Sequence, residues 1–583
     1  MKGQARAIAN NDIVYLWWTY DGKIEDCLGF TVRRRVAGKP AQALPAFVGF
    51  APPSKKTPKG KHDTDEWPVQ SYQWKDLFVP EEQDVSYEIV PMVGSPGDLK
   101  EAKGLTLTTG VTRATDAFGP LRVFFNRGIL STQSLADKLP KGPSGAPKAE
   151  ALRGHIAKPG DPIRNMLAGE APSALASLLA RARKEKGKCY LALYELTDEF
   201  LIQEIEKTKG RVELILSNAD GSKKEKGEDG KSKTVKVYDG TNAATRKRLK
   251  KVLGKDLHDR LLAKGNYIGH NKFVVYEDAG GSPAAVLTGS TNWTATGLCA
   301  QSNNAILIED GKVAARFLEY WNLLLEDDAK QAKPLRAADA DAPPDLKLKG
   351  KAGTLRVWYS PNTSAKQKPK EPDTPPDLEE VFERIRAARD GVLFLVFNPG
   401  LPSILSELKD VAAQRTGKPF FLRGAISDDP MAGKFATRVY NDSVLKNPNL
   451  LITGVGGVPD HFSFWSKEIS RLGHAVIHDK ILVIDPFRDD CCVITGSHNL
   501  GFKASYSNDE NLLILTGNRP VAEAYAAHVL DVVNHYNWRY KLVKDAKAGK
   551  ASSFTDLADD DGWQDKYFQG SFLRNRDLFF FPK

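Results

Sequence analysis

The stretch AVIHDKILVIDPFRDDCCVITGSHN, residues 475–499, places His478 and Lys480 two positions apart inside an otherwise apolar run. Residues at i and i+2 of a β-strand point to one face, so these two side chains project together while Asp479 faces the other way. A buried strand rarely carries two such groups for packing alone. The stretch therefore predicts a strand with a functional face, followed by a Gly-Ser turn and by Asn499.

The same pattern occurs earlier in the chain, in YIGHNKFVVYEDAGGSPAAVLTGSTN, residues 267–292. The gap from the histidine to the glycine is 19 residues in the earlier copy and 18 in the later one. In both copies a second asparagine follows the first after twelve residues and opens an apolar strand. Each short motif is common by itself, but the complete pattern in two copies is a strong signal and indicates a shared role for the paired residues. The paired positions are His270 and His478, Lys272 and Lys480, Ser290 and Ser497, Asn292 and Asn499, and Asn304 and Asn511.

The composition indicates a globular protein with an anionic partner. The chain has 583 residues, 41% of them hydrophobic, which is enough for about two to four domains with sizeable cores. The net charge of +10 and the pI of 9.0 favour nucleic acid, lipid head groups or phosphorylated metabolites, without choosing between them. Five thinly spread cysteines fit a reducing compartment and argue against a disulfide framework.

The N-terminal segment MKGQARAIANNDIVYLWWTYDG lacks the apolar core and cleavage site of a signal peptide. No run of about 18 apolar residues predicts a membrane-spanning helix. We therefore expect a cytoplasmic protein that meets lipid only from the aqueous side, with export by a signal-less route left open.

The order of predicted elements divides the chain into blocks. Residues 1–125, which include most of the run LRVFFN at 121–126, consist of short β-branched and aromatic runs that predict an all-β sandwich, and DVSYEIVPM resembles a strand of fibronectin-type modules. Residues 126–187 form a Pro/Gly/Lys-rich connector that ends in a helix. Strands and helices then alternate in two related α/β lobes, residues 188–325 and 354–583, separated by a linker at 326–353. The apolar tail GSFLRNRDLFFFPK is expected to pack on the body of the protein.

Several polar residues are interpreted as structural. Asp485 lies seven positions after His478, an odd offset that turns it away from the site, and Glu277 has the same offset in the earlier copy. The charged run at 221–233 is interpreted as a solvated loop. Four other histidines in aromatic or helical contexts are interpreted as packing or surface residues: His461, His474, His528 and His535.

The repeated His-x-Lys, with an aspartate five residues after Lys480 and then Gly-Ser-x-Asn, resembles the phospholipase D superfamily, whose motif is named for those His, Lys and Asp residues. The resemblance covers residues 188–545 and not the N-terminal block. The chain is similar to the two-lobed form of this family, in which one chain carries both halves of one active site. Bacterial phospholipase D-like proteins resemble the stretch HDKILVIDPFRDDCCVITGSHNLGFKASYSNDENLLIL. The resemblance implies that His270 and His478 face each other between the lobes, close enough to hold one phosphate.

The resemblance also implies a mechanism through a phosphohistidine, without metal or cofactor. One histidine attacks phosphorus, and the other protonates the leaving oxygen and then activates water or an alcohol. Two-lobed relatives generally use the N-terminal histidine as nucleophile, which implies His270, with His478 as acid and base; the residues themselves leave the order open. No carboxylate cluster or His/Cys spacing predicts a metal site. The candidate donors to the phosphate oxygens are Lys272, Lys480, Asn292 and Asn499, and the further candidate substrate contacts are Ser290, Ser497, Asn303 and His498.

Glu510 makes the two halves unequal. It lies eleven residues after Asn499 and is predicted to accept a hydrogen bond from His478. The corresponding position in the earlier copy is Asn303, which offers a dipole and no charge. The carboxylate therefore marks one histidine, although it is compatible with either assignment of nucleophile and acid.

The substrate is less well determined than the chemistry. The preferred function is hydrolysis of a phospholipid head-group ester, or its transfer to an alcohol. The alternative is a nuclease that cleaves DNA or RNA with the same residues, which the positive charge and the absent export signal favour. A third function, phosphate binding without turnover, is disfavoured because both histidines and both lysines are present. The head group, the role of the N-terminal block and the oligomeric state are left open.

Overall fold

The structure is a computed structural model that describes most of the chain. His461 and His474, interpreted above as packing or surface residues, lie outside the described residues. The described residues are 1–46, 48–50, 62–127, 149–219, 221–226, 232–237, 239–262, 268–327, 332–364, 373–399, 404–414, 420–427, 437–441, 452–453, 477–547, 556–568 and 579–582.

The N-terminal block consists of antiparallel strands. One sheet has the order β1-β2-β7, a second has the order β10-β8-β3-β4 with β9 and β11 also paired to β8, and β5 pairs with β6. Alternate apolar side chains of these strands form their own core, which Trp563 from the C-terminal region joins. The all-β prediction agrees with these sheets, and the likeness to fibronectin-type modules stays a prediction. The strands are β1 Gly3–Ala9, β2 Val14–Tyr20, β3 Cys27–Val36, β4 Gln42–Ala43, β5 Pro45–Ala46, β6 His62–Asp63, β7 Gln73–Asp76, β8 Asp84–Ser95, β9 Asp98–Glu101, β10 Leu107–Thr108 and β11 Thr112–Arg113.

The first lobe is a mixed sheet covered by helices. Its strand order is β12-β13-β21-β20-β19-β14-β15-β18, while β16 and β17 form a separate hairpin. The strands are β12 Ala117–Phe118, β13 Leu121–Phe125, β14 Lys188–Leu193, β15 Val212–Ser217, β16 Gly221–Lys226, β17 Ser232–Val237, β18 Leu257–Arg260, β19 Lys272–Glu277, β20 Pro283–Gly289 and β21 Asn304–Ile308. The helices are α1 Ala149–Ile156, α2 Pro162–Ala168, α3 Ala171–Glu185, α4 Glu199–Lys207, α5 Ala243–Leu253, α6 Ala295–Cys299 and α7 Gly311–Glu326.

The second lobe has a sheet of the same kind. Its order is β22-β23-β30-β29-β28-β24-β25-β26-β27. The strands are β22 Leu346–Lys347, β23 Thr354–Ser360, β24 Gly391–Val396, β25 Phe421–Ser427, β26 Thr437–Asn441, β27 Ile452–Thr453, β28 Lys480–Ile484, β29 Cys492–Gly496 and β30 Glu510–Thr516. The helices that precede, cover and follow this sheet are α8 Lys333–Ala338, α9 Pro376–Ala387, α10 Ile404–Gln414, α11 Phe502–Ser507, α12 Arg519–Lys547 and α13 Asp565–Phe568, and short 3₁₀ helices occur at Lys103–Leu105, Gly254–Asp256, Lys349–Lys351 and Asp561–Gln564.

Local sequence explains where the main elements start and why they are buried. The aspartates Asp161, Asp198 and Asp310 precede α2, α4 and α7, and their carboxylates accept hydrogen bonds from backbone N–H groups of the first turn. Every residue of β24, GVLFLV, is buried, as expected for a central strand with a parallel neighbour and packing on both faces. The mixed α/β class predicted for this part of the chain is confirmed.

Matching positions of the two lobes contact each other where the sheets meet. The Thr288 hydroxyl donates to Asn511 at 2.9 Å, and the Asn304 amide donates to Thr495 Oγ1 at 2.8 Å. Thr288 and Thr495 precede the glycines of the two motif copies, so the two contacts are related by exchange of the lobes. The long helix α12 packs against the sheet of the second lobe and against β1 and β2, and its Tyr525 hydroxyl accepts from the Asn304 amide of the first lobe at 3.0 Å. An origin by internal duplication stays a prediction.

One strand belongs to a different sheet from the one expected. The run LRVFFN was placed with the N-terminal sandwich, but β13 pairs antiparallel with β21 of the first lobe, with Phe125 opposite Asn304. In the second lobe β23, with the sequence TLRVWYS, makes the same pairing with β30, and Tyr359 lies opposite Asn511. The edge of a sheet accepts any strand of suitable register, so the partner of β13 is decided by the fold and not by its composition.

The charged run, the linker and the C-terminal tail differ in how well they match the structure predicted for them. The charged run at 221–233 contributes most of the hairpin of β16 and β17, a correction to the expected loop, because alternate exposed side chains still allow backbone pairing. The linker at 326–353 contains α8 and the short strand β22. In the described part of the tail, residues 579–582, Phe579 and Phe580 are buried, as expected for packing on the body. None of the helices in the described parts of the chain combines the length and apolar character needed to span a bilayer.

Candidate functional site

The two histidines lie at the entries of equivalent strands. His270 precedes β19 and His478 precedes β28, and each is 4% exposed. Their ring centroids are 6.3 Å apart and their planes are inclined by 65°. This distance leaves room for one tetrahedral phosphate between the rings. The prediction that the histidines face each other between the lobes is confirmed.

Backbone pairing between the lobes holds the histidines in this position. Gly269, the residue before His270, bridges to Asp509 of the second lobe, and Ile477, the residue before His478, bridges to Ser302 of the first. The His478 N–H donates to the Ser302 carbonyl at 3.0 Å. The residue before each histidine thus pairs with a residue just before a strand of the opposite lobe. That strand is β30 for His270 and β21 for His478. This crossing decides which side chains surround each ring.

The ring nitrogens Nδ1 contact acceptors of the opposite lobe. His270 Nδ1 lies 3.2 Å from the Ser497 carbonyl oxygen and 3.3 Å from Glu510 Oε2. His478 Nδ1 lies 3.0 Å from the Ser290 carbonyl oxygen and 2.9 Å from Asn303 Oδ1. Since each Nδ1 meets only acceptors here, it carries the proton, and Nε2 is left for chemistry in the cavity.

These contacts correct the expected partner of Glu510. The carboxylate was predicted to accept from His478, which is on its own lobe, but it contacts His270, and the amide of Asn303 contacts His478. The reason is the crossed backbone pairing, which brings the start of β30 against the histidine of the first lobe. The two histidines remain unequal, as predicted, but the negative charge lies beside His270 and not beside His478.

The lysines lie beneath the histidines, on the same faces of their strands. Lys272 Nζ donates to the His270 carbonyl at 2.6 Å, and Lys480 Nζ donates to the His478 carbonyl at 2.5 Å. The two side chains are 2% and 0% exposed, so neither ammonium group is at the wall of the cavity. Water does not screen these buried charges, so they produce a strong local field at the histidines.

Burial and these lysines depress the pKa values of both histidines. Burial lowers the pKa of His270 to about 4, Lys272 acts in the same direction, and Glu510 opposes both. Burial together with Lys480 and Lys272 holds the pKa of His478 well below its usual range. Burial also lowers the pKa of Lys272 to about 7 and the pKa of Lys480 well below its ordinary value. Both imidazoles are therefore neutral at pH 7.

Glu510 is a buried carboxylate whose contacts stabilise its ionised form. Burial alone would raise its pKa, but its contacts with His270 and Asn508 bring the pKa down to about 2. The Asn508 amide donates to Oε1 at 2.7 Å. The Nδ1–H group of His270 donates to the Ser497 carbonyl, and Glu510 Oε2 lies 3.3 Å from Nδ1 as a negatively charged neighbour that favours the proton there. Glu510 therefore orients the His270 ring with Nε2 unprotonated.

Four predicted substrate contacts lie behind the histidines and not at the cavity wall. Ser290 donates its hydroxyl to Asn303 Oδ1 at 2.9 Å, and Ser497 Oγ accepts from the Asn511 N–H at 3.0 Å. His498 is 1% exposed, with Nε2 at 3.1 Å from Asp377. The polar atoms of these four side chains bond inside the protein, and their contact with substrate stays a prediction: Ser290, Ser497, Asn303 and His498.

The glycines of the two motif copies explain the shape of the turns. Gly289 and Gly496 have φ of 152° and 134°, and a Cβ at these positions would lie 2.3 Å from the Asn304 carbonyl oxygen and 2.4 Å from that of Asn511. Only glycine allows this approach of β20 to β21 and of β29 to β30. The turns place the asparagines that follow, Asn292 and Asn499, at the cavity.

The cavity at the histidines has a volume of about 430 Å³. Four predicted site residues line it, namely both histidines and the amides Asn292 and Asn499. Sequence reasoning missed the rest of the wall. The missed residues are Tyr194, Glu195, Ile268, Gln301, Phe397, Asn398, Gly501, Lys503, Ala504 and Asn508.

A sequence signal for part of this wall exists. Tyr194 and Glu195 directly follow β14, and Phe397 and Asn398 follow β24, so an aromatic and then a polar residue end the central strand of each lobe. The Tyr194 ring lies 5.2 Å from the His270 ring, and the Phe397 ring lies 5.3 Å from the His478 ring. Alignment of the two lobes on these strands would have placed all four residues at the site.

The acidic residue of the second motif copy has the structural role expected for it. Asp485 accepts hydrogen bonds from the N–H groups of Arg389, Asp390 and Gly391, at 2.7 to 2.9 Å, and orders the turn before β24. Among the described residues, no three His, Cys, Asp or Glu side chains are grouped so as to hold a metal ion. His528, interpreted as a packing residue, is buried behind the site against Asp479.

The sequence of the first lobe matches a known protein family. Residues 175–324 match the family model described as cardiolipin synthase, PLD-like domain. This range contains β14 to β21, both His270 and Lys272, and the turn with Asn292. No curated protein sequence matches the chain.

Solved structures give more distant likenesses. Phosphatidylserine synthase from Haemophilus influenzae Rd KW20 is 11% identical, covers 70% of this chain and 93% of its own, and has a TM-score of 0.39. NucT from Helicobacter pylori is 20% identical over 27% of this chain and 90% of its own, with a TM-score of 0.20. Nuc from Salmonella typhimurium, a phospholipase D family member, is 22% identical over 26% of this chain and 88% of its own, with a TM-score of 0.19. None of these likenesses decides the substrate. By the match at 175–324, the first lobe of this chain is similar to the PLD-like domain that this family model describes.

Proposed function

We propose that the protein is a metal-independent phosphodiesterase that works through a phosphohistidine. The observation that supports this most directly is the pair of buried imidazoles 6.3 Å apart, each held by an acceptor at Nδ1 with Nε2 left for reaction. The two lobes contribute one histidine, one lysine and one amide each. Such a site suits a substrate with one negative phosphate and two ester oxygens.

In the first step His270 is the nucleophile. Its Nε2 lone pair attacks phosphorus, the bond from phosphorus to the leaving oxygen breaks, and His478 donates a proton from Nε2 to that oxygen. Charge that grows on the non-bridging oxygens is stabilised by the amides of Asn292 and Asn499 and by the field of the buried lysines. Glu510 supports His270 in this role, because a carboxylate at Nδ1 stabilises the ring as it becomes positive.

In the second step His478 acts as a general base, because it gave up its Nε2 proton in the first step. His478 Nε2 takes a proton from water, the water oxygen attacks phosphorus, and the bond between phosphorus and His270 Nε2 breaks. An alcohol in place of water would give transfer and not hydrolysis. Before substrate binds, the lysines keep the pKa of His478 low. A bound phosphate offsets their charge and raises that pKa, so the acid proton is acquired together with the substrate.

Among substrates, we propose a phospholipid head-group ester. The mixed wall of the cavity supports this, because it carries a carboxylate at Glu195 and two aromatic rings beside the histidines. A groove for a polynucleotide needs repeated cations for consecutive phosphates, and among the described wall residues outside the histidines Lys503 is the one cation. Nucleic acid is the alternative substrate, and the parallel assays described below distinguish it from phospholipid.

The test of the function uses a soluble substrate and a chelator. Bis(p-nitrophenyl) phosphate should be hydrolysed at the same rate with and without EDTA, since histidines and lysines replace the usual divalent cation. His258→Ala is the matched histidine control, because this residue pairs with Glu213 away from the cavity. Loss of activity in EDTA that magnesium restores would contradict the proposal.

The substrate is tested by parallel assays in EDTA. Purified protein is incubated with phospholipid vesicles and, separately, with single- and double-stranded DNA and RNA. We expect release of head group or transfer product and intact nucleic acid. Cleavage of nucleic acid with untouched lipid would replace the lipid proposal by the nuclease.

A further inference from the structure

The wall of the cavity differs in charge between its two sides. Glu195 follows β14 on the first lobe, and the equivalent residue after β24 on the second lobe is the neutral Asn398. Lys503, on α11 of the second lobe, lines the other side and is exposed. One side therefore attracts cations and the other repels them.

Glu195 is held firmly in this wall. The Trp293 N–H donates to its carbonyl oxygen at 3.1 Å, and Leu196 bridges to Trp293. Asn292 Nδ2 donates to Glu195 Oε2 at 2.8 Å. In the described part of the chain no hydrogen bond to the second carboxylate oxygen is formed, and this oxygen remains available to a ligand.

A carboxylate is unfavourable in a site built for an anion. It repels the phosphate, and burial raises the pKa of Glu195 above its usual range even though Lys272 and Asn292 act in the opposite direction. The nearby Lys272 directs its ammonium group to the His270 carbonyl. A positive group brought by the substrate would offset this repulsion.

We propose that Glu195 is a specificity-determining residue that selects phosphodiesters of amino alcohols, with the substrate ammonium group bound to its carboxylate. This rests on the proposed function, because the ammonium is placed relative to a phosphate between His270 and His478. The exposed Lys503 directs the cationic end to the first-lobe side. Nucleotide phosphodiesters lack an aliphatic ammonium group and gain nothing from Glu195.

The test compares two ligands that differ only in the charge. 2-Aminoethyl ethyl phosphate and propyl ethyl phosphate have the same length and the same phosphate, and each is measured as a competitor of bis(p-nitrophenyl) phosphate hydrolysis. In the unmodified protein the inhibition constant should be about tenfold lower for the amine, as expected for a hydrogen bond between charged groups. Competition measures binding in either orientation of the ester.

Glu195→Gln should bring the ratio of the two inhibition constants close to one. The glutamine can still accept from Asn292, so the variant removes the charge and keeps the positioning contact. Glu199→Gln removes the same charge from α4, where the residue pairs with Arg248, and should keep the tenfold ratio.

Three outcomes would overturn the inference. They are a ratio near one in the unmodified protein, an unchanged ratio in Glu195→Gln with both ligands weakened equally, and tighter competition by a thymidine dinucleotide than by the amine. Failure of the proposed function is distinct, since bis(p-nitrophenyl) phosphate would then not be hydrolysed at all. In that case calorimetric titration of the full-length protein with the same two ligands still decides the role of Glu195.

Discussion

The two half-sites share a backbone arrangement and differ in the side chains around each histidine. In both, the ring contacts a serine carbonyl of the opposite lobe, and a lysine beneath it binds the histidine carbonyl. The partner of His270 is the carboxylate of Glu510, and the partner of His478 is the amide of Asn303. A repeated pattern in the chain thus gives equal geometry and unequal chemistry, and the residue that makes the difference comes from the opposite lobe.

The largest effect should come from removal of each histidine. His270→Ala should lose activity by about 10⁴-fold or more on every substrate, as expected for loss of a nucleophile. His478→Ala should lose turnover by about 10²–10⁴-fold, the usual contribution of a general acid or base. With a p-nitrophenyl phosphodiester, whose leaving group needs no proton, it should still form the adduct and accumulate an acid-labile phosphoenzyme.

Mass spectrometry of peptides from both variants identifies the modified residue. The adduct should be on His270 in His478→Ala protein, and none should form in His270→Ala protein. An adduct on His478 in the latter would reverse the roles, and the carboxylate at Glu510 would then support the acid.

The next effect concerns the two Nδ1 partners. Glu510→Gln should slow the initial burst of p-nitrophenol by about 10²-fold, because an amide does not stabilise the developing charge on His270 and can impose the wrong tautomer. Asn303→Ala should leave the burst intact and slow the steady-state rate by about tenfold, because it affects only the histidine that activates water. Stopped-flow absorbance separates the phases. A slower burst in Asn303→Ala than in Glu510→Gln would refute the crossed assignment.

The smallest effect is a displacement of the pH profile. For a p-nitrophenyl phosphodiester, kcat/KM should fall below about pH 4, where His270 gains a proton and loses its lone pair, and above about pH 7, where Lys272 loses its charge. Glu510 raises the pKa of His270, so Glu510→Gln should move the acid limb to lower pH by about one unit. Asn303→Ala should leave that limb in place. Movement of the limb to higher pH in Glu510→Gln would contradict the pairing.

Some features could be predicted from local sequence because they depend on short-range geometry. Alternation along a strand puts His478 and Lys480 on one face and turns Asp485 away, whatever the rest of the chain does. The Gly-Ser-x-Asn turn is likewise local, since Gly496 is required by the close approach of the adjacent strand. Recurrence of the pattern predicts paired residues with a shared role, and the family resemblance added the prediction that the histidines face each other.

The place of β13 shows where local patterns stop being informative. Its sequence LRVFF has the composition of the N-terminal strands, and its sheet partner is β21, some 180 residues later. The likeness of LRVFFN to LRVWYS of β23 was present in the sequence, but its meaning depends on the common order of the two sheets. Strand pairing over such distances is a property of the whole fold.

By itself, the sequence determined the α/β class, the two histidine and lysine pairs, and the inequality that Glu510 introduces. Only the tertiary structure decided which histidine the carboxylate serves, which predicted contacts lie behind the site, and that Glu195 of one lobe and Lys503 of the other line its wall. The physical reason is the crossed pairing of Gly269 with Asp509 and of Ile477 with Ser302. Periodicity predicts the face on which a side chain lies, but the neighbour across an interface depends on how the two sheets dock.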